Sequence, residues 1–392
     1  MSDVKFSFVI PYKQRLDNIK LALASLAEQT MDRSEFEVVI GALEYSPEFA
    51  AVCEEYADRL DIVAVMSGVE WNVCRARNLA LRNANGQVIV VLDADMVVPP
   101  TFLRNLYDRY YRHGQNICVV GQMIGYEDVF RSEIESVETR PYSHYRKALA
   151  QLESQDQVLM DNRWTPEYAS AFARFPWVQA CTALVAVPAQ TVREHDLTFD
   201  EGFRGWGPED QEWARRISRS GTPIVLGEQV YGLHLPHVRS MTTQNHTETL
   251  NWRYYLSKWP ELDVEVSLAY EQLEADRLFP EIERELAELV AGAGGLRPGV
   301  VRGQMGGRSV LTVGALVDEA TRTPAPEIIA GYDTGAVLEV LPLVGLALPY
   351  EDDSVDECRV LAPVAGLSEQ FRDTAVREAE RVSRKLVLPA GA

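Results

Sequence analysis

Val88-Ile-Val-Val-Leu92-Asp93-Ala94-Asp95 is an apolar run that stops abruptly at two carboxylates one residue apart. A stretch of β-branched and aliphatic residues bounded by polar positions reads as a buried strand. Residues i and i+2 at a strand end project to one side, so Asp93 and Asp95 can face a single ligand. Two hard oxygen donors at the carboxyl end of such a strand suit a divalent cation carrying a phosphorylated ligand. The same residues would also make an acidic turn, which aspartate favours. The sequence on either side bears on which of the two it is.

Upstream, strand-like and helix-like segments alternate. Phe6–Ile10 is an apolar strand stopped by Pro11, and Asn18–Glu28 places Ile19, Leu23 and Leu26 at helical spacing. Strand-like Phe36–Ile40, helical Phe49–Leu60, strand-like Ile62–Met66 and helical Arg75–Asn83 lead into Val88–Leu92. This β–α–β–α order predicts an α/β fold: a Rossmann-like, mostly parallel sheet with helices on both faces. Ligands in such sheets sit beyond the carboxyl ends of strands, where Pro11–Arg15 and Asp93–Asp95 fall.

Downstream, residues 126–175 break the alternation. They are polar and aromatic, with Glu127, Asp128, Glu133, Glu135, Glu138 and several tyrosines, and read as a helical insertion, either over the site or simply solvated. A strand over Val178–Val187 follows, then Gly202-Phe-Arg-Gly-Trp-Gly-Pro-Glu-Asp210, a helix over Gln211–Ser220, a strand over Pro223–Leu226 and the His-rich Leu233–His237. Aromatic Trp252–Trp259 closes a first domain of residues 1–260. Amphipathic Val264–Val290, interrupted by Pro280, and Gly-rich Gly292–Gly307 make residues 261–307 a helical and flexible linker. Residues 308–392 form a smaller α/β unit, with strand-like Val310–Val313, Ala336–Leu341, Arg359–Leu361 and Leu386–Leu388 and a helix over Arg372–Ser383.

With 392 residues the chain is long enough for more than one core. Its net charge of −20 argues against a nucleic-acid binder, which needs clustered lysine and arginine on the phosphates. Cys53, Cys74, Cys118, Cys181 and Cys358 are scattered and odd in number, a usage that fits reduced thiols and a cytoplasmic setting. No apolar run is long enough to span a membrane, and the strand-like run at Phe6 leaves no room for a signal peptide.

Taken in order, Phe8-Val-Ile-Pro11-Tyr12, Cys74-Arg-Ala-Arg77-Asn78, Leu92-Asp93-Ala-Asp95 and Gly205-Trp-Gly-Pro-Glu-Asp210 resemble a GT-A glycosyltransferase of the family 2 type over residues 1–260. The last segment is similar to one in chondroitin-polymerase-like and β-1,4-galactosyltransferase-like enzymes. The resemblance implies a nucleotide-sugar donor, a UDP-sugar in the first instance, an acceptor hydroxyl, and Mn2+ or Mg2+ as cofactor. It implies donor contacts along Pro11, Tyr12, Arg15, Glu44, Arg77, Asp93, Ala94, Asp95 and Trp206. Glu44 stands where many relatives have paired aspartates for the base, and Ala180-Cys181-Thr182 replaces a glycine pair, so base and sugar are the points of departure. The C-terminal stretch Leu348-Pro-Tyr-Glu-Asp-Asp353-Ser-Val-Asp356 is similar to half of a class I methyltransferase without its glycine loop, a remnant suited to packing, acceptor docking or a homodimer contact.

The chemistry agrees with that resemblance. A diphosphate leaving group develops charge that a carboxylate-held divalent ion neutralises. By resemblance Asp95 is the direct ligand and Asp93 orients the ribose or a metal-bound water. Arg77 offers a planar fork for phosphate, or else a helix-surface salt bridge. His234 or His237 is expected as a further metal ligand, and both together only if Pro236 turns the chain back. Trp206 presents a flat face to a sugar ring. Direct displacement requires a base for the acceptor proton, a role given to Asp210, with Glu209 on sugar hydroxyls; capping of the following helix is the structural alternative for both. An inverting transfer is expected. Retention on the same fold, a sugar nucleotidyltransferase and an inactive carbohydrate-binding scaffold are the competing readings.

Overall fold

A computed structural model describes residues 4–125, 134, 136–154, 161–166, 172–238, 240–270, 272–291, 294–318 and 320–389. The chain divides into two compact units, residues 1–251 and 252–392. Of the acidic residues expected in the insertion, Glu127, Asp128, Glu133 and Glu135 lie outside the described residues. No helix among the described residues is long and apolar enough to cross a membrane.

The first unit is built on an eight-stranded sheet in the order β3-β2-β1-β4-β7-β6-β8-β5. Its strands are β1 (Phe6–Tyr12), β2 (Phe36–Ala42), β3 (Ile62–Met66), β4 (Val88–Leu92), β5 (Met96–Val97), β6 (Cys118–Ile124), β7 (Leu184–Pro188) and β8 (Ile224–His234). The β1–β2, β2–β3, β1–β4 and β6–β8 pairs are parallel; β7 runs antiparallel to both β4 and β6. β1, β2 and β4 are buried on both faces, as parallel strands covered by helices must be; Ser7 of β1 and Glu37 of β2 interrupt the apolar runs and satisfy each other, the hydroxyl donating to the carboxylate at 2.6 Å. Because β1 and β4 pair in parallel with Val9 opposite Val91, the segments after Pro11 and after Leu92 leave the sheet side by side.

Two expectations about this unit are corrected. The strand expected over Val178–Val187 is a 3-10 turn over Pro176–Gln179 followed by the shorter β7; Pro176 starts a helical turn well and cannot donate to a ladder. The short strand expected over Pro223–Leu226 runs on to His234, through a register shift where Val120 pairs with Leu226 but Gln122 with Tyr231. Gln229, in the left-handed region at φ 55°, absorbs the extra residues of that bulge. β6 carries no separate sequence signal beyond its apolar run.

The second unit holds a five-stranded sheet, β11-β9-β10-β12-β13, made of β9 (Leu296–Met305), β10 (Arg308–Asp318), β11 (Glu339–Leu341), β12 (Glu357–Val360) and β13 (Leu386–Val387). The Gly-rich stretch expected as a linker therefore contains a strand. Gly306 and Gly307, at φ 58° and 73°, form the two-residue turn of the β9–β10 hairpin, a turn that needs positive φ at both positions. The Asp333 carboxylate accepts both of their N–H groups at 2.7 and 3.0 Å. Nor does Pro280 interrupt the helical region: the helices are Leu262–Ala269 and Gln272–Leu289, with Pro280 inside the second. The first ends where Tyr270 turns to extended backbone.

Candidate active site

Asp95 lies in the tight turn between β4 and β5 and is 1% exposed. Its carbonyl accepts the N–H of Leu235 at 2.7 Å, and the β5–β8 register sets Met96 opposite His234. That pairing carries the end of β8 onto Asp95. The Nε2 of His234 is 3.9 Å from Asp95 Oδ1, and the Nδ1 of His237 is 3.0 Å from Asp95 Oδ2. The chain does turn back at Pro236, whose carbonyl accepts the side-chain N–H of Asn18 at 3.3 Å. Both histidines consequently face one carboxylate, with their rings 5.5 Å apart.

One ligand atom from each of Asp95, His234 and His237 lies within 4.8 Å of the others. A carboxylate with two imidazoles is a donor set suited to manganese-like ions. Buried Oδ1 of Asp95 accepts no hydrogen bond among the described residues, an orphaned acceptor of the kind a cation satisfies. The residues present fit a divalent ion. Burial pushes the Asp95 carboxyl up, but the Arg15 guanidinium and then the two histidines hold it well below the usual carboxylate range. Arg15 reaches that carboxylate directly, its Nη1 donating to Oδ2.

Arg77 lies on the helix Val73–Leu81, which packs on β2 at Gly41: a Cβ there would sit 2.0 Å from the Ala76 carbonyl oxygen. So close an approach brings Arg77, 3% exposed, beneath the strand ends. Its Nη2 donates to Asp93 Oδ1 at 3.2 Å and its Nη1 to Glu209 Oε1 at 3.0 Å. Both terminal nitrogens thus hold carboxylates, one from each acidic motif. The guanidinium neither lies on the helix surface nor has an idle fork.

The same helix grips the chain that leads into the second motif. Asn72 caps the helix through the Arg75 N–H at 2.9 Å, while its Nδ2 donates to the carbonyls of Phe203 and Glu201. Asn78 exchanges two 2.8 Å bonds with the backbone of Phe199. From the other side, Asn251 donates to the carbonyls of Arg204, Trp206 and Gly207 at 2.8, 3.1 and 2.6 Å and accepts the Arg204 N–H at 3.0 Å. Thr247 Oγ1 accepts the N–H of Trp206 at 3.3 Å. Asn78 entered the sequence reading only as the end of the Cys74–Asn78 motif, and Asn72 and Asn251 not at all, since nothing about a lone asparagine distinguishes a backbone clamp from a surface residue.

Glu209 and Asp210 open the helix Glu209–Arg219, whose N-cap is Pro208 with no side-chain cap. Among the described residues, Asp210 accepts the N–H of the next residue, Gln211, at 2.8 Å. Its carboxyl is pushed up to about 7, first by burial and then by the neighbouring Glu209 charge, against the pull of Arg77. A carboxyl poised there is half ionised near neutral pH, the range in which a general base works best.

The remaining expected residues are dispersed along the same strand ends. Pro11 and Tyr12 end β1, but the Tyr12 ring stacks on Phe49 at 4.1 Å inside the core, so only its backbone is available to a ligand. Ala94 is buried between the two aspartates. Glu44, past the end of β2, accepts the Gln14 N–H at 2.8 Å and so fastens the loop that carries Arg15. Trp206 is half-buried in the Asn251-clamped loop.

Residues 7–162 match the family described as Glycosyl transferase family 2. Validoxylamine A glucosyltransferase of Streptomyces hygroscopicus subsp. jinggangensis (strain 5008) is 24% identical over 423 residues, covering 98% of this chain and 96% of its own. Chondroitin synthase of Pasteurella multocida (strain Pm70) is 22% identical over 275 residues, covering 66% of this chain and 28% of its own. Among solved structures, S. aureus TarS 1-349 in complex with UDP-GlcNAc overlaps with a TM-score of 0.47 at 15% identity, over 73% of each chain. The mannosyltransferase PcManGT of Pyrobaculum calidifontis, in complex with GDP-Man and Mn2+, has a TM-score of 0.45 at 17% identity, over 74% of this chain and 76% of its own.

Proposed function

We propose that this chain, a glycosyltransferase with a family 2 domain over residues 7–162, moves a sugar from a nucleotide-sugar donor to an acceptor hydroxyl with inversion, using Asp210 as the base. The observation that carries this reading is the Arg77 bridge, which joins the Asp93–Asp95 turn to the Glu209–Asp210 pair. Asp95, His234 and His237 would hold the divalent ion. When bound, such an ion neutralises the charge that develops on a diphosphate leaving group.

The residues of the chain divide the rest of the chemistry. Asp210 Oδ1 accepts the Gln211 N–H, leaving Oδ2 to take the acceptor proton. As that proton leaves, the acceptor oxygen bonds to the anomeric carbon and the bond from that carbon to the diphosphate oxygen breaks. The electron pair departs with the diphosphate. Trp206 offers an apolar face to the sugar, and Glu209, braced by Arg77, fixes the height of the helix start beneath it.

Glucose is the donor sugar to test first, because the relative that matches 98% of the chain is a glucosyltransferase. A screen of UDP-, GDP- and dTDP-glucose with Mn2+ present, following nucleoside diphosphate release, tests the reading. Asp210→Asn is expected to lose about 10³-fold in transfer while still binding donor. If Asp210→Asn and Asp95→Asn both retain full transfer and donor hydrolysis, the assignment of roles is wrong. Proton NMR of the product's anomeric coupling decides between inversion and retention.

A further inference from the structure

Arg15 sits at an unusual post for a residue beside a cation site. It lies just ahead of the helix Leu16–Leu26, and its carbonyl accepts the Ile19 N–H at 3.0 Å. The preceding Gln14 is left-handed at φ 55°, with its N–H tied to Glu44. This tight loop aims the guanidinium at Asp95 Oδ2, the same oxygen that lies 3.0 Å from His237. Asp95 is buried, whereas the Arg15 side chain is 41% exposed. One partner is buried in the protein and the other reaches it from a partly exposed position at the surface.

The charges explain what such an arrangement does. A buried carboxylate without a counter-charge is strongly disfavoured, and the Arg15 guanidinium supplies that charge from within the chain. A dication added to the Arg15–Asp95 pair would crowd three positive charges around one carboxylate. A nucleoside diphosphate arriving with the ion reverses the balance, since its oxygens neutralise both the ion and the guanidinium, whose fork matches phosphate geometry.

We propose that Arg15 makes metal binding conditional on the donor, holding Asp95 until a diphosphate arrives with the ion and then moving onto the phosphate oxygens. This rests on the reading that Asp95, His234 and His237 hold a divalent ion. The coupling is reciprocal: whatever the diphosphate adds to metal affinity, the metal adds to diphosphate affinity.

The test is Mn2+ binding to the full chain, by isothermal titration and by the electron paramagnetic resonance of free Mn2+, alone and with UDP or GDP. Wild type, Arg15→Gln, Arg15→Lys and Asp95→Asn are compared, with circular dichroism as the check that each is folded. Arg15→Gln is expected to bind Mn2+ alone at least tenfold more tightly than wild type, about 1.4 kcal/mol. Added nucleoside diphosphate should then tighten Mn2+ less than threefold, against at least tenfold in wild type. Arg15→Lys, which keeps the charge, should stay within threefold of wild type for Mn2+ alone. Equal or weaker binding of Mn2+ alone by Arg15→Gln overturns the inference and leaves the metal assignment standing. Failure of wild type to bind Mn2+ with either nucleotide, or binding by Asp95→Asn equal to wild type, overturns the metal assignment and the inference with it.

Discussion

The Arg77 guanidinium donates to Glu209 at 3.0 Å across 132 positions of sequence, while its other terminal nitrogen holds Asp93. A buried cation shared by two carboxylates fixes the distance between the elements that carry them. Removing it leaves Glu209 and Asp93 facing each other without compensation, a change that typically costs about 3–5 kcal/mol. Arg77→Ala is therefore expected to lower the denaturant midpoint strongly. Arg77→Lys, which keeps the charge but not the fork, should retain most of the stability and lose transfer activity. Equal stability of Arg77→Ala and wild type in urea unfolding would show that the bridge does not hold the fold.

The Asp210 carboxyl, at about 7 against an ordinary 3.8, sets a pH dependence. As a base it must be ionised, so kcat/KM should fall about tenfold per pH unit below 7. The linkage to stability has the opposite sense. A carboxyl whose folded value is raised stabilises the fold fully below about 4, and that contribution is lost as pH rises through 7. Asp210→Asn should thus come nearest to wild-type stability below about pH 4, gain on it as pH rises, and exceed it most above about pH 7. A flat pH–rate profile between 5 and 8 would contradict the role of Asp210.

Metal removal should act at Asp95 and the two histidines together. Chelation is expected to abolish transfer, with recovery on adding Mn2+, and to remove the thermal stabilisation that the ion gives the folded state. His234→Ala and His237→Ala should each weaken Mn2+ about tenfold or more, as both offer a ligand atom within 4.8 Å of the others. Retention of wild-type Mn2+ affinity by either variant would remove that histidine from the ligand set.

Asn251, 3% exposed, holds three carbonyls of the loop that carries Trp206. It touches no reacting atom on this reading and acts by positioning. Asn251→Ala should lower kcat by about 10²-fold, the usual penalty for a small misplacement, while Mn2+ affinity stays at the wild-type value. Parallel losses in kcat and in Mn2+ affinity would point to general unfolding instead.

In the second unit, buried Glu265 accepts the N–H groups of Val344, Gly345 and Leu346 at 2.9, 2.6 and 2.8 Å. Burial pushes its carboxyl up to about 7 against the pull of those donors. Glu265→Ala would strand three buried donors and is expected to destabilise the protein by roughly 3 kcal/mol or more, measured by urea unfolding. The contribution of the carboxyl should be largest at low pH and decline as pH rises through 7.

The amino-acid sequence by itself carried the α/β class, the strands around Phe8, Val39 and Val90, and the residues of the two acidic motifs, because apolar periodicity and strand-end carboxylates are local signals. It also carried the candidacy of both histidines, but not their union. That depended on the β5–β8 register and on Asn18 holding the Pro236 carbonyl, contacts between segments far apart in the chain. Arg77 was legible as a cation on the helix ahead of Asp93 and not as a bridge, since the Glu209 that completes it is brought in by tertiary packing. The hairpin at Gly306–Gly307 passed for a linker because glycine marks flexibility and tight turns alike until the partner strand is known. Which residue types stand at the site was written in the sequence. Which of them touch was decided by the folded backbone, whose long-range hydrogen bonds have no local signature.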